Sequence, residues 1–165
     1  MAGAASKNKG KSGERELCKI LEGYFGGSFI RVHNSGAFVG GKNAVRKATL
    51  SENQIRNAKA DIVTPDHMPK LIVESKFYAD FPFHMFLTSP NVPILDSWIQ
   101  QQLDIVDPGD FWMVCFKINR KGWFGCIEYD NKFTYAHHIR YKTYSVFNLH
   151  EFLNLNKNLI LEISK

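Results

Sequence analysis

The stretch Leu71-Ile72-Val73-Glu74-Ser75-Lys76 constrains this chain more than any other segment. It is an apolar run that ends in two charges flanking a small polar residue, and it holds the only Glu-x-Lys of the sequence. Side chains alternate across a strand, so Glu74 and Lys76 fall on one face. A second short apolar run, Ala60-Asp61-Ile62-Val63, precedes it, and the two are separated by Thr64-Pro65-Asp66-His67-Met68-Pro69, a turn with two prolines. The pair reads as a β-hairpin. If its strands are antiparallel, Asp61 shares a site with Glu74 and Lys76.

Two carboxylates and a lysine in one place suit a particular chemistry. A hard divalent ion such as Mg²⁺ takes oxygen ligands, usually one or two carboxylates completed by water and substrate phosphate. Asp61 and Glu74 are the candidate metal ligands. A neighbouring ammonium can orient water or stabilise charge built up during attack on phosphate, which is the candidate role of Lys76. An exposed Glu-Lys pair at a strand end is the ordinary alternative, and the hairpin with Asp61 argues against it.

Helical spacing frames the hairpin on both sides. Gly13, Leu17, Ile20, Leu21 and Tyr24 predict an amphipathic helix that starts near Ser12 and stops at Gly26-Gly27. Glu14 borders its apolar face and can lean toward the sheet, which makes it the third candidate acid. Glu16 is better read as complementing the positive end of the helix dipole. Residues 1–10 are small, polar and basic and read as a mobile tail. Ser28 to Val32 predicts a short strand.

After the hairpin, the aromatic and proline-rich segment from Phe77 to Pro93 predicts an irregular connection. Leu95, Trp98, Ile99, Leu103 and Val106 then predict a second helix ending at Asp107-Pro108-Gly109, with Gln102 turned inward on its buried stripe. An inward amide needs a partner, either in the core or at the site. Phe111 to Phe116 and Trp123 to Glu128 predict two more strands, residues 133–146 a further strand, and Leu149 to Leu155 a short helix. The order α-β-β-β-α-β-β makes an α/β (α+β) fold, a mixed sheet flanked by helices.

Length and composition suit one domain, because 165 residues with 44% hydrophobic content can bury a single core. No apolar stretch approaches the roughly 20 residues that span a bilayer, so a soluble cytoplasmic chain is expected. Cys18, Cys115 and Cys126 lack paired spacing and read as reduced core residues, and the six histidines show no ligand spacing. The net charge of +5 is unevenly distributed. Lys7, Lys9, Lys11, Arg15 and Lys19 face only Glu14 and Glu16, while Arg31, Lys42, Arg46, Lys47, Arg56 and Lys59 face only Glu52. Such concentration points to a polyanion, with phosphate backbone the natural candidate.

Lys9-Gly10-Lys11-Ser12-Gly13-Glu14-Arg15-Glu16-Leu17 resembles the K-G-x-x-x-E-R-E-L opening of archaeal-type Holliday junction resolvases of the PD-(D/E)XK superfamily. Ile30-Arg31-Val32, Asp61-Ile62-Val63 and Val73-Glu74-Ser75-Lys76 are similar, in order, to the strands that follow in that family. Trp123-Phe124-Gly125-Cys126-Ile127-Glu128 resembles its late strand. The resemblance covers about residues 7–130. It implies a restriction-endonuclease-like core, a homodimer with two active sites, and Mg²⁺ or Mn²⁺ as cofactor. Glu14, Asp61 and Glu74 would be the metal-site acids, Lys76 catalytic, and Arg15 a support for phosphate contact or the geometry of the dimer.

Two departures mark this chain. Residues 34–59 form a much longer connection than the compact archaeal enzymes carry, and the residues after Lys76 do not follow their pattern. Variants with such an insertion resemble bacteriophage nucleases. The insertion reads as a DNA-binding element through Ser35, Lys42, Arg46, Lys47, Arg56 and Lys59, alongside Lys9, Lys11, Arg15 and Arg31. Tyr78, Phe81 and Phe83 read as core or interface aromatics in preference to base-stacking ones. The expected activity is Mg²⁺-dependent, structure-selective cleavage of four-way junctions. The competing readings are a related endonuclease acting on linear, nicked or branched DNA, and a DNA-binding protein on the same fold without catalysis.

Overall fold

The computed structural model describes residues 2–32 and 60–165. Ser35, Lys42, Arg46, Lys47, Arg56 and Lys59, and the short helix that residues 51–57 suggest, lie outside the described residues. The chain opens with helix α1 (Ala2–Phe25), followed by strands β1 (Ile30–Arg31), β2 (Ile62–Val63) and β3 (Leu71–Tyr78). A one-turn helix α2 (Met85–Thr88) and helix α3 (Pro93–Leu103) lead into β4 (Phe111–Ile118) and β5 (Gly122–Glu128). Strands β6 (His138–Tyr141) and β7 (Tyr144–Asn148) and helix α4 (Leu149–Ile163) complete it.

All seven strands form one sheet in the order β1-β2-β3-β4-β5-β7-β6. The expected hairpin is present: β2 and β3 are antiparallel, with Ile62 opposite Val73. The centre is the parallel pair β3 and β4, in register from Leu71 opposite Phe111 to Tyr78 opposite Ile118. Parallel neighbours need a crossover, and α3 supplies it. The other described pairings are antiparallel.

Alternation along the two central strands sorts the core into two layers. Val73, Met113 and Cys115 pack with Leu17 and Leu21 of α1 and Phe152 and Leu153 of α4. Ile72, Val114 and Phe116 pack with Leu95, Trp98 and Ile99 of α3. The sheet is thus covered on both faces, which is why β3 and β4 read as nearly continuous apolar runs. All three cysteines are buried and free.

Several boundaries differ from the sequence expectations, each for a physical reason. Helix α1 begins at Ala2 and not near Ser12, because alanine and lysine continue a helix well while the apolar spacing marks only the part that lies on the sheet. Neither Glu14 nor Glu16 is therefore in a first turn. The irregular segment expected from Phe77 to Pro93 is shorter, because Phe77 and Tyr78 continue β3 through their pairing with β4 and Pro93 opens α3, and the connection between them contains the one-turn α2. Helix α4 runs on to Ile163, beyond Leu155, with Asn148 as N-cap accepting from the backbone N–H of Glu151 at 3.1 Å. In place of the single strand expected over residues 133–146, a hairpin of β6 and β7 runs from His138 to Asn148, with Lys142 at φ 53 in its turn.

Helix α3 is held in place from the far edge of the sheet. The Tyr141 hydroxyl accepts from the backbone N–H of Val92 at 2.7 Å and donates to Asp96 at 2.7 Å. Lys142 reaches the same carboxylate at 3.2 Å. At the other end of the molecule α1 crosses β3 closely at Gly13, where a Cβ would stand 3.1 Å from the Phe77 side chain. These two supports fix α1 and α3 on either side of the end of β3. No helix of the described residues is long and apolar enough to cross a membrane.

Candidate active site

The register that puts Ile62 opposite Val73 brings the preceding residue, Asp61, alongside the following one, Glu74. The junction is tied by the backbone N–H of Ser75, which donates to Asp61 Oδ2 at 3.0 Å. The backbone of Asp61 is used as well, since its carbonyl accepts from Val32 N–H at 2.8 Å. Two carboxylates are consequently held side by side at the edge of the protein core, both buried.

Burial and the neighbouring Asp61 push Glu74 up to about 7, against the pull of Lys76. Burial first, and the charge of Asp61 second, disfavour the ionised form of Glu74. A shared proton relieves this penalty, and so does a divalent cation. Among the described residues no group of three or more His, Cys, Asp or Glu side chains is gathered to hold a metal ion by itself. The donor set is a carboxylate pair, which fits an ion such as Mg²⁺ that keeps water and substrate oxygens in its remaining positions.

Lys76 emerges on the same face, two residues along β3. Its ammonium donates to Glu74 Oε1 at 3.0 Å and to Gln101 Oε1 at 2.7 Å. Gln101 was not foreseen from the sequence, which singled out Gln102. Gln102 is fully buried, as its place on the apolar stripe requires, and its amide finds no hydrogen-bond partner among the described residues. Its neighbour, one residue back and about 100° around the helix, is the one that meets the lysine. Three consecutive glutamines at 100–102 were the available signal, but only the crossing of α3 over β3 selects among them.

Glu14 of α1 lies near enough to Asp61 to feel its charge, but its bonded partner is on β1. It accepts from Arg31 Nε of β1 in a close ion pair, with both side chains largely shielded. Burial, then Asp61, raise its pKa, and Arg31 and Lys11 lower it. Asp61 thus acts electrostatically on both Glu14 and Glu74, and Lys76 on Glu74, while the three acids expected to form one metal site do not gather into a metal-holding group among the described residues. Arg31, expected as a phosphate contact, is engaged with Glu14.

Glu16 faces elsewhere. It accepts from Lys117 at 2.6 Å and from Trp123 Nε1 at 2.9 Å, and these bonds hold it below the usual carboxylate range although burial opposes them. It fastens α1 to β4 and β5 and does not serve the helix dipole. Arg15 and Lys11 are exposed on α1, and Lys9 lies over the Phe77 ring at 4.6 Å. Phe81 is a core aromatic, buried against Phe116 and Trp98, and the half-buried Phe83 packs on Phe124, whereas Tyr78 lies against Trp98 but is exposed. An apolar groove of about 540 Å³ lies on Phe83, Phe124, Ile139 and Val146, away from the carboxylates.

Paired acids on adjacent strands with a lysine two residues beyond the second define a PD-(D/E)XK-type site on a mixed α/β sheet. Over residues 5–162 the chain matches the model of the family described as "Phage putative PDDEXK endonuclease", and it belongs to that family. It is a phage-type PD-(D/E)XK nuclease with a restriction-endonuclease-like fold. No curated protein matches the chain. No solved structure matches it either.

Proposed function

We propose that this nuclease is a Mg²⁺-dependent, structure-selective endonuclease that hydrolyses phosphodiester bonds at four-way DNA junctions, acting as a homodimer in the cytoplasm of a phage-infected host. The observation that carries the reading is the Asp61 and Glu74 pair on adjacent strands with Lys76 bonded to Glu74, and Glu14, from the K-G-x-x-x-E-R-E-L-like opening, near enough to feel the charge of Asp61. An acid from the first helix near an Asp and Glu-x-Lys hairpin supports the resolvase resemblance over a generic nuclease site.

Asp61 and Glu74 would hold the ion, with Mn²⁺ able to replace Mg²⁺, and Glu14 would stand behind them. Bound there, such an ion lowers the pKa of a water and neutralises charge on the phosphate under attack. Lys76, held by Gln101 and Glu74, stabilises the negative charge that grows on the phosphoryl oxygens as the water oxygen bonds to phosphorus. The ester oxygen leaves and takes up a proton. Arg31 pairs with Glu14 and opposes the rise that burial and Asp61 impose on its pKa, and Lys11 and Arg15 on the same helix as Glu14 supply sequence-independent attraction for the DNA backbone. A two-fold dimer would present two such sites to the paired strands of a branched substrate.

The test compares a labelled four-way junction with a linear duplex of the same sequence in Mg²⁺ and in EDTA. Paired, symmetric nicks confined to the junction support the reading. Equal cutting of both substrates retains the nuclease and removes the junction preference.

A further inference from the structure

Two ammonium groups meet over one ring at the end of the sheet where Lys76 emerges. Lys9 Nζ lies 4.6 Å from the Phe77 centroid and Lys117 Nζ 5.0 Å from it. Glu16 offsets Lys117 at 2.6 Å, whereas Lys9 has no ion pair among the described residues. Lys9 therefore leaves a positive charge at this end of the sheet that an anion can meet.

The β4–β5 hairpin continues the same edge. Asn119 N–H donates to Tyr78 O at 3.0 Å, which joins the turn to the last residue of β3, and Lys121 N–H closes it on Ile118 O at 3.0 Å. Arg120 occupies the third position of that turn at φ 63. Glycine or asparagine suits that backbone region, and a long side chain there is disfavoured. Arg120 is nonetheless an arginine, exposed, with no hydrogen bond or ion pair among the described residues. Lys121 beside it is offset by Asp80 at 3.4 Å. Lys76 sits opposite Phe116, so at about 3.3 Å per strand residue the turn lies roughly 13 Å beyond the lysine, within reach of the same DNA strand.

We infer that the β4–β5 hairpin is a second contact for the DNA backbone, with Arg120 meeting a phosphate and the Lys9 and Lys117 pair lying beside it on the path from the carboxylates. The inference rests on the nuclease reading and adds the route that the substrate takes away from the site. Lys142, the other cation at positive φ among the described residues, is accounted for by its ion pair with Asp96, whereas Arg120 has no such partner among them, and that is the feature a merely structural turn does not explain.

The experiment measures binding of a fluorescent duplex and a four-way junction by the full chain in EDTA over a series of salt concentrations. Wild type, Arg120→Gly, Arg120→Lys and Lys132→Ala are compared, with thermal melts of each and cleavage by the wild type in Mg²⁺. Lys132 follows β5, at the opposite end of the sheet, and controls for loss of one charge. Arg120→Gly is expected to melt no lower than wild type and to bind roughly fivefold more weakly at 0.15 M salt. The slope of log K against log salt should be shallower by about 0.9. Arg120→Lys restores binding and Lys132→Ala leaves it unchanged. Wild-type affinity in Arg120→Gly, or an equal loss in Lys132→Ala, overturns the hairpin contact while wild-type cleavage keeps the nuclease reading intact. Failure of the wild type to bind and cut DNA overturns both.

Discussion

Lys76 Nζ stands 2.7 Å from Gln101 Oε1 and 3.0 Å from Glu74 Oε1, so the amine is fixed between the crossover helix and its own strand. A flexible four-carbon side chain held at two points loses the freedom that would otherwise scatter its charge. Removing the ammonium in Lys76→Ala should lower kcat by about 10² to 10³, the size of a lost transition-state contact. Gln101→Ala leaves the amine in place but loosely held, and a loss on the order of tenfold in kcat with little change in KM is expected. Gln101→Glu retains an acceptor and should recover part of that loss. Single-turnover cleavage of a labelled substrate separates the three variants.

Glu74, raised to about 7, makes cation binding and activity depend on pH. The proton and the cation compete for the same carboxylate, so metal affinity should rise as pH increases through 7 and flatten above about 8. Titration with Mg²⁺ at pH 6 and pH 8 measures this, and a pH-independent affinity contradicts it.

The same shift has a consequence for stability, opposite in sign to that of an ordinary surface carboxylate. The folded-state value lies above the unfolded value of about 4.3, so the folded chain binds more protons across that interval. The stabilisation from protonated Glu74 is full below about 4 and is lost as pH rises through about 7. It is on the order of 3 to 4 kcal/mol between those limits, by the same linkage. In metal-free buffer the melting temperature should therefore rise when Glu74→Gln is introduced, most at pH 8. Added Mg²⁺ should stabilise the wild type at pH 8 and have little effect on the variant.

Glu14 and Arg31 form a shielded ion pair, and the two residues do not have symmetrical roles. Arg31→Ala leaves a half-buried carboxylate without its guanidinium, so Glu14 should move further up in pKa and the fold should lose about 1 to 3 kcal/mol. Glu14→Gln keeps a hydrogen-bond acceptor and removes the charge near Asp61, so its cost in stability should be smaller while its cost in cleavage is larger. Chemical denaturation paired with cleavage assays separates the two effects.

Glu16 is a contrasting neighbour, because it accepts from Lys117 and Trp123 and not from groups of the site. Glu16→Ala should cost about 1 kcal/mol, seen as a fall of roughly 2 to 4 °C in Tm. The cleavage rate at saturating DNA below the melting range should be unaltered, because Glu16 does not touch the Asp61, Glu74 and Lys76 cluster.

The site was legible in the sequence wherever it depended on local alternation. Glu74 and Lys76 share a face because they are two residues apart in a strand, and Asp61 meets Glu74 because the hairpin pairs Ile62 with Val73. Glu14 could be placed from its position at the rim of an apolar helix face. What local pattern could not supply was the angle at which α3 crosses β3, and that angle selects Gln101 over Gln102. It also could not supply the bonds of Glu16 to Lys117 and Trp123, which lie 101 and 107 residues away along the chain. The early start of α1 escaped for a different reason, since its first turns carry lysines and small residues and show no buried periodicity.

The most direct test of the central claim is cleavage of a labelled four-way junction by the wild type and by Glu74→Gln, in Mg²⁺ and in EDTA, with both proteins shown to be folded by melting. The account predicts cutting by the wild type in Mg²⁺ alone and a loss of at least 10² in rate for the variant, by analogy with removal of one transition-state-stabilising group. Cleavage that persists in Glu74→Gln, or that proceeds equally in EDTA, would contradict the assignment of chemistry to the Asp61, Glu74 and Lys76 cluster.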